Sequence, residues 1–305
     1  MTILIGLVPG RRDEGAVHLG ARLARSSGES LVAVVVTPEP WPPDPQQRDK
    51  EYRDYQDAVA DQALARARLQ LGTRHATGGA TAEFLRRRAE SVAAGLLEVI
   101  AERRVDSVVL GSSSTGLLGR VMLGDVAERI LHGAELPVAV APRSFHDDGT
   151  RRISQVSVAF GRADHDSGLL RRSVLTARAF GASLRVVCFA VRPMAGYVGG
   201  VEPSTEDLVV GEWMKRLHHD FTTILGMTTR GAATGSDRAS NATSLAIDLG
   251  QGSTWAQAMS NIDWSDGDLL VVGTSSGPLS RFYLGSHAVK IIRNSPVPVL
   301  LLPRD

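Results

Sequence analysis

The chain has 305 residues, a formal charge of +1, 43% hydrophobic and 5% aromatic side chains, and one cysteine. Near-balanced charge argues for neither a nucleic-acid nor a membrane partner, and sparse aromatics argue against a stacking platform for single-stranded nucleic acid. A lone cysteine forms no internal disulfide, which fits a reducing cytoplasm, and no apolar run is long enough to span a bilayer.

Residues 3–8 form a short apolar run closed by Pro9–Gly10 and read as a buried strand rather than a signal peptide. A helix is expected over 13–25, with Ala16, Leu19, Leu23 and Ala24 on one face, then a β-branched strand over 31–36. After a proline-rich loop (38–48), residues 50–71 carry a long helical pattern. A weak third strand (81–87), a helix (91–103), a strand (107–110), a helix (125–132) and a closing strand (137–141) complete the half. The order then recurs: strand 156–160, helix 167–180, strand 183–191, helix 206–225, strand 243–249, helix 253–262, strand 269–272, helix 286–293 and strand 299–302. Cys188, inside the run LRVVCFAV, reads as a buried strand residue.

The recurrence is also visible residue by residue. VVLGSSSTGLLGRVMLGDVAERILHGAELPVAVAPR in the middle answers VVGTSSGPLSRFYLGSHAVKIIRNSPVPVLLLPR at the end. Gly111 matches Gly273, Arg120 matches Arg281, Gly124 matches Gly285, and Pro142–Arg143 match Pro303–Arg304. The copies lie about 160 residues apart, a domain length, so the chain is a tandem duplication. Residues 1–143 and 153–305 are the expected domains, with the polar stretch 144–152 as linker. Alternating apolar strands and helices imply parallel sheets covered on both faces, so each half is expected to be a five-stranded doubly wound α/β domain. Ligands of such sheets bind at the carboxyl ends of the strands where strand order reverses.

A strand, a glycine loop, an LG(S) step, a helix and a PV-apolar strand, twice over, resemble the C-terminal signature of the universal stress protein (UspA) family. The tandem form resembles its two-domain members. The resemblance implies a Rossmann-like fold of the adenine nucleotide alpha hydrolase style, a non-enzymatic stress-response role and, in ATP-binding members, a loop G-x2-G-x9-G-[S/T] with an aspartate at the end of the first strand. Backbone N–H groups of such a loop and a helix N-terminus cradle phosphates.

This chain departs from the pattern. In the first half Gly111 and Gly124 keep the spacing, but Ser114 replaces the middle glycine, Asp125 stands at the hydroxyl position and Val8 at the aspartate position. A carboxylate at Asp125 caps a helix well, yet occupies the place of a phosphate and repels it. In the second half Gly285–Ser286 is retained and Gly273 is present, while Ser276 replaces the middle glycine and Gly277 lies beside it. The loop is one residue short, Gly161 takes the aspartate position with Asp164 three residues on, and Arg281 is a phosphate partner by charge. The candidate cofactor-binding residues are therefore Gly273, Ser276, Gly277, Arg281, Gly285, Ser286 and Gly161, with ATP as the cofactor.

Other chemistry finds no residues. The Walker-like spacing Gly111–Gly116 lacks Lys–Ser/Thr, and neither GxGxxG nor GxSxG is present. His218, His219 and Asp220 point apart on a helix, Asp164–His165–Asp166 reads as a helix start, and Arg86–Arg87–Arg88 as a solvated edge near the crevice mouth. No catalytic residue and no metal site is assigned. Three readings follow: a nucleotide-linked stress regulator working through its second domain, a nucleotide-free scaffold with vestigial loops, or a weak nucleotide hydrolase. The closing strands, PVAVA and PVPVLLL, are expected to pair across the two halves, in a monomer or a homodimer.

Overall fold

A computed structural model describes residues 2–10, 14–39, 50–72, 74–160, 163–191, 211–212, 215–216, 219, 246–274 and 284–303, the side chains of 74–75 and 163–167 aside. The first half runs β1 (Thr2–Leu7), α1 (Gly15–Ser27), β2 (Ser30–Pro38), α2 (Lys50–Leu71), α3 (Arg74–Thr77), β3 (Ala82–Ala89), α4 (Val92–Arg103), β4 (Ser107–Gly111), α5 (Asp125–Gly133) and β5 (Val138–Ala141). The second runs β6 (Gln155–Ala159), α6 (Ala163–Phe180), β7 (Ser183–Val191), β8 (Ala246–Gly252), α7 (Trp255–Ser260), β9 (Asp268–Gly273), α8 (Ser286–Asn294) and β10 (Val299–Leu302). The expected helix over 206–225 lies largely outside the described residues.

The ten described strands form one sheet, in the order β3-β2-β1-β4-β5-β10-β9-β6-β7-β8. Each half keeps the doubly wound parallel order, and the two are joined at their closing strands. There Val299 faces Val140, Leu300 faces Ala139 and Leu301 faces Val138 in an antiparallel ladder. The expected pairing of the halves is thus internal to one chain. Each closing strand carries apolar residues on both faces, so the ladder buries it completely and leaves no central edge.

Local chemistry explains the elements. Ile3, Leu4 and Ile5 are all buried, as a strand covered on both faces requires. Gly20 lets α1 lie against β1, because a Cβ there would stand 2.4 Å from Ile5 Cδ1. Gly28 ends α1 at φ 77°, a left-handed cap that favours glycine. Ser91 and Thr254 start α4 and α7 in the same way, each side chain accepting from the N–H three residues on, Ala94 and Gln257. That shared cap places Val92 and Trp255 at matching positions.

Two apolar layers cover the sheet, and each draws on both halves: one holds Ile3, Leu19 and Val109 with Leu170 and Leu269, the other Leu4, Leu96 and Ile130 with Met259 and Leu301. One core therefore spans the duplication.

Three details correct the sequence reading. β3 extends to Ala89, because its ladder with β2 runs on to the pair Pro38–Ala89. It is a half-exposed edge strand, not an apolar one. α3 carries too little sequence to show a period. The polar segment 144–152, expected to be a linker, has a buried centre. Asp147 is 6% exposed and accepts from Arg22 Nε at 3.0 Å and Nη2 at 2.8 Å, and it pairs with Arg25. Arg22 also donates to the Asp266 carbonyl, and Arg25 Nε to the Arg151 carbonyl at 2.9 Å. The linker is a polar stitch that binds α1 to the second half.

Candidate functional site

Strand order reverses between β1 and β4 in the first half, and between β6 and β9 in the second. In the first half a cleft of about 420 Å³ opens there. Leu7, Val8 and Pro9 leave β1 on one side, and Gly111, Ser112 and Ser113 leave β4 on the other. Val92 and Leu96 of α4 and the start of α5 from Leu123 to Ala127 close it. Val8, at the aspartate position of the family pattern, is 50% exposed and turns an apolar side chain to this mouth.

The loop after β4 is closed upon itself. Ser113 N donates to Met122 O at 2.8 Å, Gly116 N to Ser113 O at 3.1 Å and Arg120 N to Leu117 O at 3.2 Å. Gly119 N donates to Arg143 O at 3.0 Å, and Arg143 Nη1 returns to Gly116 O at 2.7 Å. Ser112 Oγ accepts from Met122 N at 2.6 Å, while Ser113 and Thr115 hydroxyls bond each other at 3.1 Å. A phosphate cradle needs such N–H groups unspent. Here those of Ser113, Gly116, Gly119 and Arg120 are already committed to carbonyls, and Ser114 stands exposed.

Asp125 differs from expectation in its role. The N-cap of α5 is Gly124, with extended backbone and no side-chain cap bond, so Asp125 is the first helical residue rather than the cap. With Glu128 it places two carboxylates in the first turn of α5. Together they outweigh the partial positive charge of about half a unit at a helix N-terminus. Among the described residues Asp125 is the one charged side chain lining the cleft.

α8 carries the opposite electrostatics at the matching place. Its N-cap Gly285 and first residue Ser286 are exposed, and no acidic residue lies in its first turn. Among the described residues nothing lies within 4 Å of where a Gly285 Cβ would stand. His287 and Lys290 gather beside Trp255, with ring centroids 5.5 Å apart and the Lys290 Nζ 5.9 Å from the indole. Gly273 ends β9 opposite Leu302 of β10. The next residue, Thr274, buries a hydroxyl that has no hydrogen-bond partner among the described residues, whereas its counterpart Ser112 is satisfied by Met122. Gly273, Gly285 and Ser286 are thus placed around one strand end and one helix start. Gly161, Ser276, Gly277 and Arg281 lie outside the described residues.

Two charged groups singled out by sequence are spoken for elsewhere. Arg120, the counterpart of Arg281, donates from Nη1 to Asn294 O at 2.7 Å, across the joint between the halves. Arg86 pairs with Asp61 at 3.4 Å and Arg88 with Asp57 at 2.7 Å, while Arg87 pairs with Glu102, so α2 and α4 neutralise the triplet. Among the described residues no three His, Cys, Asp or Glu side chains come together as a metal site. Of the histidine cluster only His219 is described, and the side chains of Asp164 to Asp166 lie outside the described residues.

The universal stress protein family matches this chain twice, over residues 1–142 and 154–303. The universal stress protein Rv2319c of Mycobacterium tuberculosis (strain ATCC 25618 / H37Rv) is 33% identical over 307 aligned positions, covering 99% of this chain and 100% of that protein. The universal stress protein Mb2346c of Mycobacterium bovis matches to the same extent. Among solved structures, a universal stress protein from Archaeoglobus fulgidus superposes with a TM-score of 0.58 at 16% identity, over 100% of this chain and 98% of that one. A putative universal stress protein from Pseudomonas aeruginosa gives 0.54 at 14% identity, over 100% and 93%. The structural likenesses show the fold, and with two family matches and full-length relatives they lead to one conclusion: the chain belongs to the universal stress protein family, with two tandem domains of the family's α/β fold.

Proposed function

We propose that this protein is a nucleotide-linked stress-response regulator without catalytic turnover, whose second half (153–305) accepts an adenine nucleotide. The observation that carries this reading is the contrast between the two helix starts. α8 opens on exposed Gly285 and Ser286 with no acid in its first turn, whereas α5 opens on Asp125 with Glu128 behind it. An anion is favoured at the first and repelled at the second. Thr274, whose buried hydroxyl beside Gly273 has no partner among the described residues, adds a group that a ligand would satisfy. Gly161, Ser276, Gly277 and Arg281 complete the proposed set by their place in the family pattern, and ATP is the proposed nucleotide. The domains are read as 1–143 and 153–305 about the stitch at 144–152. The buried, single Cys188 suits a reducing cytoplasm.

Calorimetric titration with Mg-ATP, preceded by mass spectrometry of whatever the denatured protein releases, tests the reading. Stoichiometric heat that Ser286→Asp removes is the expected result, since that variant installs the carboxylate found in the first half. Absence of heat at millimolar ATP favours a nucleotide-free interaction module instead. Steady phosphate release that survives Ser286→Asp would favour a hydrolase.

A further inference from the structure

We infer that the first-half cleft has changed ligand class: it takes a small apolar molecule carrying a protonated amine, not a nucleotide. A volume of about 420 Å³ lies in the range of small-molecule sites, and its place at the β1/β4 reversal is where doubly wound sheets bind ligands. Its walls are Val8, Val92, Leu96, Leu110, Leu123 and Val126. Such walls reward an apolar body and give nothing to a triphosphate.

The polar groups narrow the choice of head. The loop N–H groups of Ser113, Gly116, Gly119 and Arg120 are spent on carbonyls, and the Ser112, Ser113 and Thr115 hydroxyls are engaged within the loop. The charged side chain at the mouth is the Asp125 carboxylate, exposed, beside the first N–H groups of α5. It is an acceptor with negative charge, and the matching head is a donor with positive charge. The N-terminal partial charge of α5 weakens this attraction without reversing it, because the full charge of Asp125 faces about half of one.

The second half supplies an internal contrast. Trp255 stands at the helical position of Val92, as the shared Ser91 and Thr254 caps fix, and its indole packs against His287 and Phe189. At the same place the first half keeps two small valines, Val92 and Val126, and with them the open volume.

The test uses three probes with one body and three heads: naphthylmethylamine, naphthylmethanol and naphthoate, titrated into the full chain at neutral pH and followed by heteronuclear NMR. Saturable shifts at Val8, Leu96, Gly111 and Leu123 are expected, with the amine preferred over naphthoate by about tenfold and over the alcohol by about threefold. Asp125→Asn, at an exposed position, is expected to bring amine and alcohol to about equal affinity. Val92→Trp, copying the second half, is expected to remove binding of all three. Equal affinity for naphthoate and the amine, shifts that cluster away from the cleft, or no saturation by any probe would overturn the inference. Heat from Mg-ATP that depends on Ser286 is a separate readout, so either proposal can fail while the other stands.

Discussion

Arg120 of the first half donates to the carbonyl of Asn294, the last residue of α8, at 2.7 Å across the joint between the domains. The last carbonyls of a helix have no partner within it, and a cation there also meets the negative end of the helix dipole. An arginine in a glycine loop reads as a phosphate ligand. This one is a clasp. Arg120→Ala is expected to lower stability by about 1–2 kcal/mol, seen as a lower urea midpoint at unchanged slope. A variant as stable as the parent would show the bond to be idle.

Asp147 faces two buried guanidinium groups, those of Arg22 and Arg25. Removing the carboxylate that both share among the described residues leaves buried positive charge without compensation, which costs about 3–5 kcal/mol. Asp147→Ala is therefore expected to lower the melting temperature far more than Asp148→Ala, whose carboxylate is exposed. Similar melting points for the two variants would refute the stitch.

His18 and His146 meet edge to face beside that stitch, ring centroids 4.5 Å apart. Burial, and then the neighbouring His146, hold the His18 pKa below its ordinary 6.5, against the opposing pull of Glu14 and Asp147. The unfolded chain binds the proton more readily, so this contribution to stability is fully present above pH 6.5 and is lost as pH falls through the lower folded value. Denaturation midpoints measured from about pH 7.5 to 5 should fall more gently in His18→Gln than in the parent. Parallel curves would dismiss His18 as the titrating group.

Cys188 is fully buried in β7, and burial pushes its thiol up to about 12. The thiolate is the reactive form, so an aromatic disulfide reagent at about pH 8 should leave the folded protein untouched and label one thiol on unfolding. Immediate labelling of native protein would mean that β7 opens readily.

Alternation of period and turn residues made most of the fold legible, and the closing strand over Val299–Leu302 is placed where its apolar run predicts. The clasp and the stitch were not legible. Arg120 meets a carbonyl 174 residues away, and Asp147 joins α1 at a separation of 125 residues from Arg22. Nothing in local pattern records such partners. At the site, the departure from the nucleotide pattern at Val8 and Asp125 was plain in the sequence. That Ser113 and Gly119 of the first-half loop had also spent their N–H groups was not, because Met122 O and Arg143 O reach them only after the chain folds back.

A dimer of identical single domains must present the same crevice twice, so any change to one is a change to both. The antiparallel meeting of Val140 with Val299 reproduces a twofold contact inside one polypeptide, where the two partners are separately encoded. Symmetry survives in the backbone and is released at the side chains. The two crevices were thereby free to diverge, one with Val92, Val126 and the acid Asp125, the other with the open Gly285–Ser286 start, without either having to leave the shared sheet.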